Sequence, residues 1–169
     1  MTAAKTLTGA RNYFEDFEVG AVIRHSRGKT VTPLENVLIT NMVMNTSHGH
    51  FNDHAMIEAG LQGSLVYGGV NFSLVLGLAA QDCCENAVEE LGLDSVKLLK
   101  HVYHGDTLYA FSRVAAKEDG PGGDAGIVTF EHYGYNQREE RIAEVVRRVL
   151  VKRRGVGQEI SSSKPAVAP

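Results

Sequence analysis

Val70-Asn-Phe-Ser-Leu-Val-Leu-Gly-Leu-Ala79 is the stretch on which the fold turns. Val70, Phe72, Leu74, Val75, Leu78 and Ala79 put apolar side chains on nearly every side of a helix. A helix apolar all round is one wrapped by the rest of its protein. The pattern becomes charged from Asp82 onward, and the spacing predicts a helix over Val70–Glu90. The C-terminal part of the chain reads as strands. Val96–Tyr103 and Thr107–Val114 flank a turn at His104-Gly-Asp106. Ile127–Tyr135 and Arg141–Val151 come next, with Gly120-Pro-Gly-Gly123 and Asn136-Gln-Arg-Glu139 as connections. Long antiparallel strands after one buried helix predict a single α+β domain, a curved antiparallel sheet rolled around that helix.

Upstream, Ala21–His25 and Lys29–Thr32 read as strand pieces around a Gly turn. Thr32-Pro-Leu-Glu35 has the marks of a helix start: a hydroxyl cap, Pro at the first helical position and Glu three residues after the cap. Val37, Leu38, Met42 and Met44 make that helix short and partly buried. A second short helix is expected over His54–Leu61, ending near Gly60 or Gly63. The domain is placed over residues 11–154, with flexible segments at 1–10 and 155–169, where small, polar, Gly, Ser and Pro residues dominate.

The 169 residues suffice for one real hydrophobic core, and 43% hydrophobic with 22% charged residues is ordinary for a soluble domain. A formal net charge of -3 argues against nucleic acid or an anionic membrane as the main partner. No run has the length of a membrane span, and the first residues lack the apolar centre of a signal peptide. Cys83 and Cys84 are adjacent and form no disulfide framework, so a cytoplasmic location is expected.

Between the first helix and the central one lies Asn45-Thr-Ser-His-Gly-His-Phe-Asn-Asp-His54. So many polar groups serve a packed core poorly, since each one buried without a partner costs free energy. The segment precedes Gly63-Ser-Leu-Val-Tyr-Gly-Gly69, whose backbone amides are free to bind an anion. Proton-handling groups and anion-binding amides therefore fall close together.

The order strand, helix, polar His loop and buried helix, followed by HVYHGDTLYAFSRV, IVTFEHYGYNQ and EVVRRVLVKRR, resembles the MaoC-like hydratases. The opening YFEDFEVG resembles them too, and the likeness runs from Tyr13 to Arg154. It is nearest to the mesaconyl-CoA hydratase (β-methylmalyl-CoA dehydratase) branch, with itaconyl-CoA hydratases nearby. The resemblance implies a hot-dog fold, a homodimer or higher homo-oligomer, and hydration of an enoyl-CoA thioester without a cofactor or metal. CoA is then part of the substrate.

His50 falls on the family's catalytic His, and Asn45 stands where the family carries an acid five residues earlier. An amide can orient water but cannot take a proton. Asn45 also removes a negative charge from a pocket that must admit an anionic acyl group. Its bland alternative is a helix C-cap, because Asn tolerates a left-handed backbone. His50 is suited to activating water and delivering a proton. The Gly68 and Gly69 amides, at a helix N-terminus, are suited to the oxyanion hole. Ser47, His48 and Tyr67 are candidate substrate contacts, although His48 and His54 also read as solvated loop residues. A metal held by His48, His50, Asp53 and His54 has the right ligand types without a firm geometric signature. The basic run Arg147, Arg148, Lys152, Arg153 and Arg154 reads as a solvated strand end, or as an attraction for CoA phosphates. Two alternatives to a hydratase stand: a hot-dog thioesterase, and a non-catalytic acyl-CoA-binding subunit.

Overall fold

The computed structural model describes residues 12–155, so the proposed flexible segments, Gly155 apart, lie outside the described residues. Five strands form one antiparallel sheet in the order β1-β3-β4-β5-β2. They are β1 (Val22–Thr30), β2 (Ala87–Leu98), β3 (Thr107–Asp119), β4 (Ala125–Tyr135) and β5 (Arg141–Lys152). Three helices precede β2: α1 (Pro33–Met42), α2 (Asp53–Glu58) and α3 (Gly68–Cys83). α3 lies against the sheet, as a hot-dog arrangement requires. Val75, Ala79 and Cys83 meet inward-facing strand residues such as Leu108, Val114, Phe130 and Val149.

Several boundaries differ from the sequence reading. The central helix ends at Cys83, and Ala87–Glu90 already belong to β2. The strand expected over Val96–Tyr103 therefore begins nine residues earlier and stops at Leu98, with Tyr103 making only a bridge to Leu65. α3 is wrapped on one side: Ser73 and Gly77 are exposed, while Val75 and Ala79 are sealed. The two pieces before α1 are one strand, bulged between Arg24 and Gly28 instead of turning. Gly28 there leaves room for the Tyr109 ring, which a Cβ would meet.

α1 begins as expected. Thr32 caps it, its hydroxyl accepting from the Glu35 amide while Glu35 accepts from the Thr32 amide. The Lys29 ammonium, and then the Thr32 bonds, hold Glu35 down to about 2. The burial of α1 inverts the expectation. Asn36 and Thr40 are sealed, whereas Leu34, Leu38 and Met42 form an exposed stripe at successive fourth residues. Met44 is left-handed and exposed.

A buried polar chain crosses the core at the C-terminal end of α3. The Asp82 carboxylate lies 2.6 Å from His25 Nδ1, His25 Nε2 lies 2.7 Å from Ser112 Oγ, and Ser112 Oγ lies 2.6 Å from His132 Nδ1. One assignment satisfies all three bonds. His25 Nδ1–H donates to Asp82, the Ser112 hydroxyl donates to His25 Nε2, and His132 Nδ1–H donates to Ser112. Asp82, His25 and Ser112 thus stand in the order of a nucleophilic triad. Ser112 and His132 are fully enclosed, so the chain joins β1, α3, β3 and β4 and meets no substrate. His25, Cys83 and His132 could together hold a metal, but the Ser112 hydroxyl already stands between the two imidazoles. Burial pushes the Cys83 thiol up, away from the thiolate a metal needs.

Candidate active site

The His loop leaves α1 through a hydrogen bond from the Asn45 amide to the Thr40 carbonyl, 3.0 Å long. The Asn45 side-chain oxygen accepts from the Ser47 amide at 3.0 Å, an Asx turn that launches a short 3-10 turn at His48–His50. The left-handed residue expected at Asn45 is Met44. Downstream, Asn52 caps α2. Asp53 accepts from the Ser64 amide at 2.8 Å, tying the loop to the approach of α3; the Ser64 bonds lower its pKa.

Asn36 holds these pieces together, and the sequence reading missed it. Its side-chain oxygen accepts from the Tyr67 amide at 2.9 Å, and its two amide hydrogens are shared among the His50 carbonyl, the Leu65 carbonyl and His104 Nε2. A polar residue inside an apolar helical run was the available signal, since burial there demands partners. Asn36→Ala is expected to leave the Tyr67 amide and the His50 carbonyl unpaired and to cost about 2–4 kcal/mol of stability. Urea unfolding checks this; a midpoint equal to that of the unsubstituted protein would contradict it.

His50 Nδ1 lies 3.0 Å from the Leu65 carbonyl oxygen. A carbonyl only accepts, so Nδ1 carries the hydrogen and the neutral ring keeps a lone pair on Nε2. The Tyr67 ring meets the imidazole edge-on, with centroids 5.4 Å apart. His50 lines a cleft of about 500 Å³ with Leu65, Val66, Gly68, Asn71 and the segment Leu98–Val102. α3 opens on this cleft. Tyr67 gives no side-chain cap, and the Gly68 and Gly69 amides stand at positions where a helix has no internal acceptor. A Cβ at Gly68 would collide with Leu98, so glycine lets the end of β2 close on the helix start.

The cleft thus brings together His50 and Gly68, with Gly69 and Tyr67 adjoining. Asn45, Ser47 and His48 do not line it, and Ser47 and His48 are exposed. His54 is exposed and pairs with Glu58 at 3.7 Å. Among the described residues, the group able to hold a metal is the buried one around Ser112, not the His loop. The arginines of the basic run are engaged elsewhere: Arg147 pairs with Glu90, Arg148 with Glu118, Arg153 with Glu15 and Asp119, and Arg154 with Asp16. The Gly-Asp-Thr turn is structural as well. Asp106 is buried and accepts from the Tyr103 amide, Gln137 and Arg138.

A larger hollow of about 760 Å³ lies on the sheet face away from α3, among Arg24, Tyr109, Phe111, Tyr133, Tyr135 and Arg141. It has aromatic surface but neither an imidazole nor helix-terminal amides. The smaller cleft is the one that places a proton acceptor beside anion-binding N–H groups. Such a pair suits attack on a carbonyl-conjugated bond, where one group moves a proton and the other holds the developing oxyanion.

The sequence profile of the mesaconyl-CoA hydratase family matches residues 4–153. A mesaconyl-CoA hydratase of Cereibacter sphaeroides is 32% identical over 162 residues, 96% of this chain and 46% of the relative. A beta-methylmalyl-CoA dehydratase of Chloroflexus aurantiacus is 32% identical over 156 residues, 90% of this chain and 43% of that one. The chain therefore spans about half the length of the curated relatives it matches. Among solved structures, a MaoC domain protein dehydratase from Chloroflexus aurantiacus superposes with a TM-score of 0.83 at 27% identity, covering 98% of this chain and 46% of that one. A Mycobacterium tuberculosis protein with a double hotdog fold gives 0.74 at 17% identity, covering 93% and 46%. The profile match and the shared fold place this chain in the mesaconyl-CoA hydratase family.

Proposed function

We propose that this domain catalyses the reversible hydration of a short, branched enoyl-CoA thioester of the mesaconyl-CoA or itaconyl-CoA type. The observation that carries the reading is the His50 imidazole, anchored through Nδ1 to the Leu65 carbonyl, in the same cleft as the start of α3. Family membership and the activities named for the relatives support the choice of substrate. Water adds to Cβ as His50 takes its proton. The Gly68 and Gly69 amides hold the thioester oxygen as it gains charge, and the histidine returns a proton to Cα. No cofactor enters these steps. Lys100 and His101, exposed on the cleft lining, suit the CoA phosphates better than the paired arginines of β5 do.

A second copy of this chain is proposed as the partner. The exposed stripe on α1 and the exposed Val88, Leu93, Val96 and Leu98 of the edge strand β2 form apolar surface that a monomer leaves wet. The relatives, at about twice this length, have room for two such units. Among the described residues no helix is long and apolar enough to cross a membrane. The free thiols Cys83 and Cys84 agree with a cytoplasmic setting.

Mass-spectrometric turnover of mesaconyl-CoA, itaconyl-CoA and crotonyl-CoA tests the function. Water addition, fastest with a branched dicarboxylic thioester, is the expected result. Release of free CoA thiol would identify a thioesterase, and binding without change would identify an acyl-CoA-binding subunit.

A further inference from the structure

Asn71 sits one turn into α3, inside the apolar run that packs the core. It is 3% exposed and lines the same cleft as His50 and Gly68, and among the described residues its side-chain oxygen has no hydrogen-bond partner. An enclosed acceptor without a donor is costly, and one kept in a helix that otherwise chooses Val, Phe and Leu implies a use beyond packing. The cleft lacks one component for hydration. Water has two hydrogens, and His50 Nε2 can take only one. The family's second group is a carboxylate at the position held here by Asn45, whose oxygen is already engaged with the Ser47 amide and which does not line the cleft.

We propose that the Asn71 side-chain oxygen is the second water acceptor of this site, aiming the nucleophile at Cβ in place of the missing acid. This rests on the hydratase reading of the same cleft. In the step so formed, the water oxygen bonds to Cβ and gives one proton to His50 Nε2, while its other hydrogen stays on the oxygen and is held by Asn71. The Cα=Cβ electron pair moves toward the thioester oxygen at the Gly68 amide. Cα then takes the proton back from the His50 imidazolium, so nothing is oxidised or reduced. In the reverse direction, Asn71 holds the departing hydroxyl.

Asn71→Leu and Asn71→Asp separate this role from packing, with the enoyl-CoA that the unsubstituted protein hydrates fastest as the probe. Leu keeps the same branched heavy-atom skeleton without the orphaned oxygen, and the open cleft beside it takes the bulk of the methyls, so its melting temperature should equal or exceed that of the unsubstituted protein. Its kcat should fall about 100-fold with KM within about three-fold, a loss comparable to that of one positioned hydrogen-bonding group. Asp supplies an acceptor in the same place and should recover most of the rate. Asn71→Leu that keeps its rate, or loses rate together with its melting temperature, overturns the proposal while leaving the hydratase reading intact. Absence of turnover in the unsubstituted protein overturns both.

Discussion

His50→Gln abolishes most water addition while leaving acyl-CoA binding in place, with kcat expected to fall about 10²–10⁴-fold and Kd to stay within about three-fold. Gln is the informative replacement because its amide nitrogen can still donate to the Leu65 carbonyl that His50 Nδ1 meets at 3.0 Å. The loop keeps its anchor and the cleft keeps a polar wall, but the imidazole anchored to the Leu65 carbonyl, which accepts and returns the proton, is gone. His50→Ala removes the anchor too, and should also lower stability. Single-turnover kinetics beside calorimetric titration of the same thioester separate the two quantities. A His50→Gln protein within about ten-fold of the unsubstituted rate would place the base elsewhere.

That experiment concerns a residue legible in the sequence, because a His loop before a glycine pair and an apolar helix is a local pattern. The rest of the site was not local. Asn36 matters through atoms contributed by residues 50, 65, 67 and 104, and sequence periodicity does not show which elements converge on a helix face. Asn36 and Asn71 share one trace, a polar side chain inside an apolar helical run, and both turn out to be sealed.

Element types were readable where periodicity was strong. The alternation in β4 is complete, with Val128, Phe130, His132 and Gly134 all inward. β2 was misread because its apolar residues Val88, Leu91, Leu93, Val96 and Leu98 occur among charges without strict alternation, and the charges read as a continuing helix surface. Glu90 is instead held across the sheet by Arg147. The apolar residues of α1 failed as a burial signal for a related reason. A hydrophobic stripe states that a face is to be covered, but not whether the cover comes from the same chain.

Acidification from pH 7.5 to pH 5 is expected to destabilise the fold by about 2 kcal/mol through His132 alone, rising to about 4 kcal/mol near pH 3. Burial, then Arg147 and His25, push His132 from 6.5 down to about 3. Burial also lowers His25, outweighing its Asp82 partner. The sign follows from the direction of both shifts. Unfolded histidines take up protons below about 6.5, whereas the folded ones stay neutral, so the stability present above 6.5 is lost as pH falls. The structure shows why the folded proton is refused. His132 Nδ1–H already donates to Ser112, so a second proton must go to Nε2, which is enclosed without an acceptor. The groups around it are the Arg147 guanidinium, His25, Ser112, Cys83 and the Phe130 ring stacked at 5.7 Å. The acceptors His25 Nε2 and Ser112 Oγ are already engaged, His25 Nε2 with the Ser112 hydroxyl and Ser112 with His132 Nδ1. Carboxylates with lowered values, such as Glu35 and Glu131, start from 4.5, so the interval from 7.5 to 5 isolates the histidines. Urea unfolding at both pH values, repeated with His132→Phe, measures the effect. The variant should be less stable at pH 7.5, because Ser112 loses a donor, and its pH slope should flatten. An unchanged slope in His132→Phe would show that the proton is taken up elsewhere and that the chain from Asp82 to His132 is not what makes the core acid-sensitive.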